Sequence, residues 1–183
     1  MIAFARGALL ATVFLSLSGC SSPPSTDRPG ETGDRSPDQV IEGFAMIITD
    51  QGVKKSRFRA RRAMIFQDEG MVESEDVHVE FFRSNGEHYS TITADRGVLY
   101  TKTKDMDAYR NVVVVSHDNI RLETESLHWD EDQDLITTDD PVTLIQGGKR
   151  IQGIGLVSDL SLTDVKIREP MGVFRDDDVP GEG

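Results

Sequence analysis

The sequence lacks the residues that several common kinds of site require. It contains a single cysteine, Cys20, so one chain can form neither an internal disulfide nor a cysteine-based zinc site. It also lacks an excess of positive charge, because 32 acidic residues against 20 Lys and Arg give a formal net charge of -12. Nucleic-acid binders normally carry a basic patch on a basic domain, so that class of partner is excluded.

Recognisable catalytic motifs are absent as well. No G-x-S-x-G, H-E-x-x-H or glycine-rich phosphate loop occurs. The chain's histidines lie on different predicted strands or at strand ends, with no i, i+4 pair: His78, His88, His117 and His128. We therefore expect neither enzymatic activity nor a cofactor.

The acidic run from Asp130 to Asp134 resembles the start of a calcium loop. Such a loop needs glycine at its sixth position and glutamate at its twelfth, where this sequence has Leu135 and Pro141. We predict an acidic hairpin turn here and no metal site.

Long hydrophobic runs are missing too. Residues 8–17 form an apolar run of about ten residues, against the roughly 20 that span a membrane, but this length after Arg6 fits a signal-peptide core. The run closes at Leu17-Ser18-Gly19-Cys20, which resembles a bacterial lipobox, whose cysteine is lipidated and becomes the new amino terminus. We predict a signal peptide over residues 1–19 and a lipid anchor at Cys20; the alternative is an ordinary signal peptide with a chance cysteine.

Both ends of the remaining chain are too polar to join a core. Residues 20–38 are rich in Ser, Pro, Gly and Asp and predict a flexible linker after the lipidated cysteine. Residues 175–183 are acidic, contain Pro180 and predict a disordered tail. Ser21 favours the outer membrane under the rule of enteric bacteria, which other lineages do not obey, so both membranes stay open.

The region from residue 39 to residue 174 predicts one all-β domain. Short alternating apolar runs are interrupted every 8 to 12 residues by turn signals, as in an antiparallel sheet stack. No apolar period of 3.6 residues persists for 12 residues. Lys54 to Met64 is rich in helix formers, and a helix there is the nearest competitor to a strand.

A strand-turn-strand unit repeats within this region. Ala60 to Phe66 aligns with Ala94 to Tyr100, since each has two small residues three positions apart and then an apolar-aromatic pair. Glu123 to Trp129 is a more divergent copy, in which Ser126-Leu127-His128-Trp129 matches the end of the unit. One such hairpin cannot bury its apolar face alone, so stacked copies predict an elongated sheet pair.

These units, with Asn111-Val112-Val113-Val114 and the segments at residues 137–142 and 151–156, resemble the LptC, LptA and OstA family of lipopolysaccharide-transport proteins. The length and single membrane attachment are most similar to LptC. The resemblance implies a non-enzymatic, elongated and open antiparallel β-jellyroll that holds acyl chains of lipopolysaccharide, or a similar lipid, in an apolar trough. It also implies an inner-membrane location and relay of the lipid from an ABC transporter to an LptA-like bridge protein. LptC usually has an uncleaved transmembrane helix where this sequence has a lipobox.

A set of apolar residues would line such a trough if the predicted strands stack. The set consists of Phe44, Val79, Phe81, Ile92, Leu99, Val112, Val114, Ile120, Leu122, Trp129 and Leu144. Each lipid methylene buried there is worth about 0.8 kcal/mol. The same residues would equally well close on one another as a dry core, and both alternatives stay open.

A basic ladder stands out in this acidic chain. On a strand, its members point to the face opposite Ser56, Phe58 and Ala60: Lys55, Arg57, Arg59 and Arg61. Such a ladder suits lipid phosphates or an acidic partner surface. The alternative is a solvated outer face paired to neighbouring acids.

An open stack leaves two edge strands that can pair with another protein. The candidate edges are Val40 to Ile48 at one end and, at the other, Ser161 to Ile167 or Met171 to Phe174. We therefore expect a periplasm-facing lipoprotein that binds and relays lipid. The alternative function is an adaptor with a closed core that links envelope proteins by strand addition alone.

Overall fold

The computed structural model describes residues 35–175, and all regular secondary structure in that range is β-strand. Nine antiparallel strands form one sheet in chain order. They are β1 (Gln39–Asp50), β2 (Val53–Phe66), β3 (Met71–Phe82), β4 (His88–Tyr100), β5 (Met106–Ser116), β6 (Arg121–Asp130), β7 (Leu135–Gln146), β8 (Lys149–Asp159) and β9 (Lys166–Arg175). The predicted all-β antiparallel class is confirmed, and Lys54 to Met64 is strand.

Most strands are irregular near their middle. The register between neighbouring strands shifts between Thr93 and Arg96, Tyr109 and Val112, Thr124 and His128, Thr138 and Pro141, and Gln152 and Gly153. Non-glycine residues on this line take positive φ values, including Asp76 (53°) and Arg110 (64°). Because bulges bend a strand, we call this line of irregularities the crease.

The crease divides the sheet into two halves. The front half contains the strand segments that meet at the turns at residues 51–52, 84–86, 117–118 and 147–148. The back half contains the segments that meet at the turns at residues 67–70, 101–103, 131–134 and 160–164. These turns form the two outer rims of the sheet.

The two halves fold towards each other across the crease. Phe81 in β3 and Trp129 in β6 lie in different halves, with β4 and β5 between their strands, yet their ring centroids are 4.9 Å apart. Inner side chains such as Ile92, Leu122 and Ile136 are 0% exposed. Since no helix covers them within residues 35–175, each half is covered by the other, as in face-to-face sheet packing.

Small residues line the inside of the crease. Ala60 and Ala63 in β2, and Ala94 and Gly97 in β4, flank the irregularity on its buried side, where the two halves converge. A Cβ atom added to Gly97 would lie 3.0 Å from a methyl carbon of Val77. The two small residues of the sequence repeat therefore mark where a strand crosses the crease.

Polar residues occupy the outside of the crease. An extra residue in a strand makes two consecutive side chains face outward instead of one. Arg61 donates to Glu75 at 2.7 Å and also pairs with Asp76. Asn111 donates to Asp95 at 2.8 Å. Neighbouring strands are thus tied together along the convex side of the bend.

Arg168 fastens the last strand to the sheet. Its guanidinium crosses Gly155 of β8, donates to the carbonyl oxygen of Thr138 at 3.2 Å and pairs with Asp139 of β7. Gly155 has a φ of +73°, and a Cβ atom there would lie 2.4 Å from Nε of Arg168. The positive φ therefore favours glycine here, and an added Cβ atom would displace the end of the Arg168 side chain.

The strand order makes β1 and β9 the edges of the described sheet. The first edge contains the predicted Val40 to Ile48. At the other end, Met171 to Phe174 lies inside the longer β9, whereas Ser161 lies in the turn before it. Among residues 35–175, no helix is long and apolar enough to cross a membrane. The predicted signal peptide, Cys20, most of the linker and the tail beyond residue 175 lie outside the described residues.

Candidate functional site

The predicted trough residues lie on the inner faces of the two halves. Phe44 is half-buried and packs edge-to-face on Phe58, with ring centroids 6.0 Å apart. The remaining members are buried: Val79, Phe81, Ile92, Leu99, Val112, Val114, Ile120, Leu122, Trp129 and Leu144. Their contact with lipid stays a prediction.

Sequence reasoning missed most of the back-half lining. Only Leu99 and Trp129 of the predicted set belong to that half, whereas the structure adds a group of buried residues there. This group includes Val72, Met106, Leu127, Ile136, Leu156, Leu160 and Leu162. The alternation of apolar and polar residues, if followed separately on each side of the two small residues of the repeat, would have identified several of these back-half residues.

The two rims meet along a line that we call the seam. Each strand pairs only with its neighbours in sequence, so no backbone ladder crosses the seam within the described sheet. Contact between the halves there depends on side chains. Two cavities open along the seam, one on each side of the middle of the sheet.

The apolar seam cavity has a volume of about 620 Å³. Ile120, Leu144 and Ile151 line it from the front half, and Leu162 and Val165 line it from the turn before β9. It therefore joins two of the predicted trough residues to residues of the segment that was predicted as a candidate edge strand, Ser161 to Ile167.

The polar seam cavity has a volume of about 430 Å³. Its lining is Ile48, Lys55, Phe81, Phe82, Arg83, Ser84, Tyr89, Trp129, Glu131, Asp134 and Ser161. Burial raises the pKa of the Tyr89 hydroxyl, and the nearby carboxyl groups of Asp134 and Asp159 add to this rise. Partial desolvation also raises the pKa of Asp134. This cavity combines aromatic rings with charged groups of both signs.

The basic ladder faces outward and is largely paired to acids. Arg57 and Arg59 lie 3.5 and 3.1 Å from Glu80, and Arg61 pairs with Glu75. This arrangement favours the interpretation as a paired outer face for these arginines. Lys55 differs, because it lines the polar seam cavity.

The histidines stay dispersed over different strands, and His88 Nε2 lies 2.8 Å from the hydroxyl oxygen of Thr91 on the same strand. His128 Nδ1 lies 2.7 Å from Asp107 Oδ1, and the Tyr100 hydroxyl donates to the other oxygen of Asp107 at 2.9 Å. This hydrogen bond raises the pKa of Tyr100 to about 12. The network ties β4, β5 and β6 together on their outer face, which is a structural role.

The acidic run after β6 forms the turn between β6 and β7, as predicted. The Gln133 backbone N–H donates to Asp130 at 2.8 Å, which closes the turn with the chain's own groups. Across the described part of the chain, no cluster of three or more His, Cys, Asp or Glu side chains could hold a metal ion.

A single open sheet, folded along a crease and closed by side chains at a seam, defines the class of the protein as a β-jellyroll. The family model described as "Lipopolysaccharide-assembly, LptC-related" matches residues 7–169. The chain therefore belongs to the LptC-related family of lipopolysaccharide-assembly proteins, and the predicted family is confirmed. Membership gives it a role in lipopolysaccharide transport.

A solved structure shows a similar fold. It is LptH of Pseudomonas aeruginosa, described as the LptA homologous periplasmic component of the conserved lipopolysaccharide transport device. The two chains are 15% identical, with a TM-score of 0.50, over 61% of this chain and 80% of LptH. At this identity the likeness concerns the fold alone. No curated protein matches the chain.

Proposed function

We propose that the protein carries lipopolysaccharide, or a similar envelope lipid, with its acyl chains between the two inner faces of the folded sheet. The seam is the observation that supports this function. Two apolar faces meet there through side chains, without strand pairing in the described sheet, and cavities already open along the line of contact. Acyl chains can enter between such faces without breaking a backbone hydrogen bond.

Lipid binding requires the halves to separate, because the inner face is closed in this structure. Residues at its centre, such as Val114 and Leu122, are 0% exposed. Separation removes their mutual contacts, and acyl chains replace them at about 0.8 kcal/mol for each buried methylene. A lipid with several chains can therefore offset the lost packing. The crease acts as the hinge in this proposal.

Relay between proteins would use the two edge strands. β9 ends in exposed apolar side chains, with Met171 71% and Val173 64% exposed. An exposed edge of this kind favours the addition of a strand from a partner. We assign one edge to an LptA-like bridge protein and the other to membrane subunits of an ABC transporter. No catalytic step is involved.

The anchor is part of the same proposal. Residues 1–19 are removed as a signal peptide, Cys20 is lipidated, and residues 20–38 are the linker that holds the domain in the periplasm. The end of this linker is fixed to the sheet, because the Asp38 N–H donates to the Ile65 carbonyl oxygen at 2.8 Å. Residues 175–183 are a disordered acidic tail in this proposal. Family membership favours the inner membrane, whereas Ser21 leaves the outer membrane open.

Site-specific photo-crosslinking in cells tests the carrier function. A photoreactive residue at Phe81, Val112 or Leu122 faces the inner side and is expected to capture lipopolysaccharide. The same residue at Arg59 faces outward and is expected to capture none. Lipid captured only at Arg59 would contradict the proposal.

The adaptor function remains the second candidate, because the closed inner face is what a dry core would show. An adaptor needs the edges β1 and β9 but no separation of the halves. It predicts protein crosslinks at Val173 together with no lipid crosslinks at Leu122. The carrier predicts both.

A further inference from the structure

The chain enters the sheet through four residues that were predicted as the end of a flexible linker. Asp38 pairs with β2 through its backbone, since its N–H donates to the Ile65 carbonyl oxygen. Its side chain accepts from the Gln67 N–H at 2.7 Å, in the turn between β2 and β3. We call residues 35–38 the strap, because they extend the contacts of the sheet beyond the start of β1.

Arg35 carries the strap across to the next strand. Its guanidinium forms a two-bond pair with Glu69, in which Nε lies 2.9 Å from Oε1 and Nη2 lies 2.7 Å from Oε2. The same group pairs with Glu73 on β3 and contacts the sulfur of Met71. Exposed ion pairs taken singly add little stability, whereas a bidentate pair within a network fixes the position of the guanidinium.

A buried aromatic ring lies beneath the Arg35 guanidinium. Ile65 packs against the core, so the next side chain, Phe66, faces the outer side of the sheet. Phe66 is nonetheless only 6% exposed, and the Arg35 Cζ atom lies 4.1 Å from the centroid of its ring. A guanidinium over an aromatic face is a cation–π contact. The strap therefore covers an apolar residue that the outer face would otherwise expose to water.

These strap contacts all lie in the back half of the sheet. The pairing of β1 with β2 begins there, at Gln39 with Ile65, and the turn at residues 67–70 belongs to the back rim. Glu73 lies near the start of β3, on the same side of the crease. A separation of the two halves about the crease would leave these contacts in place.

We infer that the strap fastens the membrane anchor chain to the back half alone. The back half is then the fixed part of the protein, and the front half is the part that moves when the seam opens. This inference rests on the proposed anchor at Cys20 and on the proposed separation of the halves. It shortens the proposed linker to residues 20–34, with a reach of about 45 Å at roughly 3.1 Å per extended residue.

Trypsin tests the strap directly, because residues 20–38 offer it a single bond. Arg28 is followed by Pro29, which blocks cleavage, whereas Arg35 is followed by Ser36. A guanidinium held by two carboxylates is not available to the trypsin pocket. We therefore expect slow release of a fragment that begins at Ser36, measured by mass spectrometry on the purified full chain.

Glu69→Gln together with Glu73→Gln removes both carboxylates and should speed this cleavage about tenfold, since proteolysis follows the population of the released strap. Asp68→Asn is the matched control, because Asp68 is an exposed acid of the same turn that forms no ion pair with Arg35 in the structure. It should leave the rate unchanged. Cleavage after Arg59, in the middle of β2, reports opening of the whole sheet and should stay slow in every variant.

Loading with lipopolysaccharide tests which half carries the anchor. A photoreactive residue at Leu122 reports the loading. Cleavage after Arg35 should be as slow in the loaded protein as in the empty one, because the strap moves with the back half.

Two results would overturn the inference. They are cleavage of the unaltered protein after Arg35 that is as fast as in the double variant, and loading that speeds this cleavage. A lack of lipid at Leu122 would remove the carrier function, whereas the comparison in the empty protein would still decide whether the strap is held. A Cys20 without lipid would remove the role of the strap in membrane attachment and leave its tryptic protection unchanged.

Discussion

At the scale of single residues, Gly155 combines a positive φ with a close side-chain neighbour. Its φ of +73° disfavours any side chain, and the Arg168 guanidinium occupies the space that a Cβ atom would need. We expect Gly155→Ala to lower the free energy of unfolding by about 1 to 2 kcal/mol, because a backbone cost of roughly 1 kcal/mol adds to the weakening of the Arg168 contacts with Thr138 and Asp139. Urea denaturation monitored by circular dichroism measures this loss.

Gly86 supplies the matched control for that prediction. Its φ is +84°, yet no atom lies within 4 Å of the position of an added Cβ. Gly86→Ala therefore pays the backbone cost alone and should destabilise less. Equal losses in the two variants would show that the Arg168 contact does not matter.

Asp159 is the residue whose ionisation should affect stability in acid. Partial burial alone would raise its pKa, but hydrogen bonds from Thr163 at 2.7 and 2.8 Å and from the Asp164 N–H at 3.0 Å hold the pKa below its usual value. A depressed pKa means that the carboxylate stabilises the fold above the unfolded pKa of about 3.9 and loses this contribution as the pH falls through the folded pKa.

Asp159→Asn is therefore expected to destabilise the protein at pH 7 by about 1 to 2 kcal/mol, and by less than that near pH 3. Urea denaturation at the two pH values provides the comparison, with Asp132→Asn in the exposed β6–β7 turn as the control. A loss that is the same at both pH values would refute the role of the ionised carboxylate.

At the scale of the strand, the crease explains which parts of the structure the sequence could predict. Period-two alternation predicted strands and buried faces well within one half, as at Ile92, Val112 and Leu122. Each irregularity at the crease interrupts the alternation. A pattern followed straight through it, from Leu122 to Leu127 for example, ends on the wrong face, because the buried positions change from even to odd numbers and no local signal marks the change.

In the third repeat copy, the sequence alignment and the strand register differ by one residue. The alignment by residue class matched Trp129 to Tyr100. The strand register instead pairs Gly97 with Ala108 and Ala108 with Leu127, which makes Leu127 the counterpart of Gly97 and Trp129 that of Leu99. The aromatic side chain at the end of the third unit therefore faces inward. Residue class alone could not reveal this shift, because register depends on the partner strand.

Small inner residues at the crease leave little room for a larger side chain. Ala63 is 0% exposed at the point where the two halves converge. Ala63→Leu should cost about 1 to 3 kcal/mol through overpacking, measured as a lower denaturation midpoint. Ala45→Leu on the exposed side of β1 is the control, with an expected change within about 0.5 kcal/mol. A tolerated leucine at Ala63 would mean that the crease holds spare volume.

At the scale of the whole molecule, different interactions hold neighbouring strands together and hold the two halves together. Backbone ladders and the charged pairs outside the crease hold the strands side by side, from Arg61 with Glu75 to Arg168 with Asp139. Side-chain packing alone holds the two halves face to face within the described sheet. A ligand that replaces this packing can open the seam while every ladder persists. Phe81 on β3 meets Trp129 on β6 only because the twisted sheet folds over on itself. No local pattern in the sequence therefore predicts which residues meet across the seam.

Locking the seam should therefore block lipid loading without unfolding the sheet. In the anchored protein, where the proposed lipidation leaves Cys20 without a free thiol, Ser84→Cys and Ser161→Cys place thiols on opposite rims of the polar seam cavity, and a flexible bismaleimide can join them. The joined protein should lose lipid crosslinking at Leu122 and regain it when a cleavable linker is cut. Ser84→Cys with Asn119→Cys joins two turns of the front rim and should leave lipid crosslinking intact, because that linkage does not span the seam. Undiminished lipid capture in the seam-locked protein would show that the lipid enters by a path that keeps the two halves together.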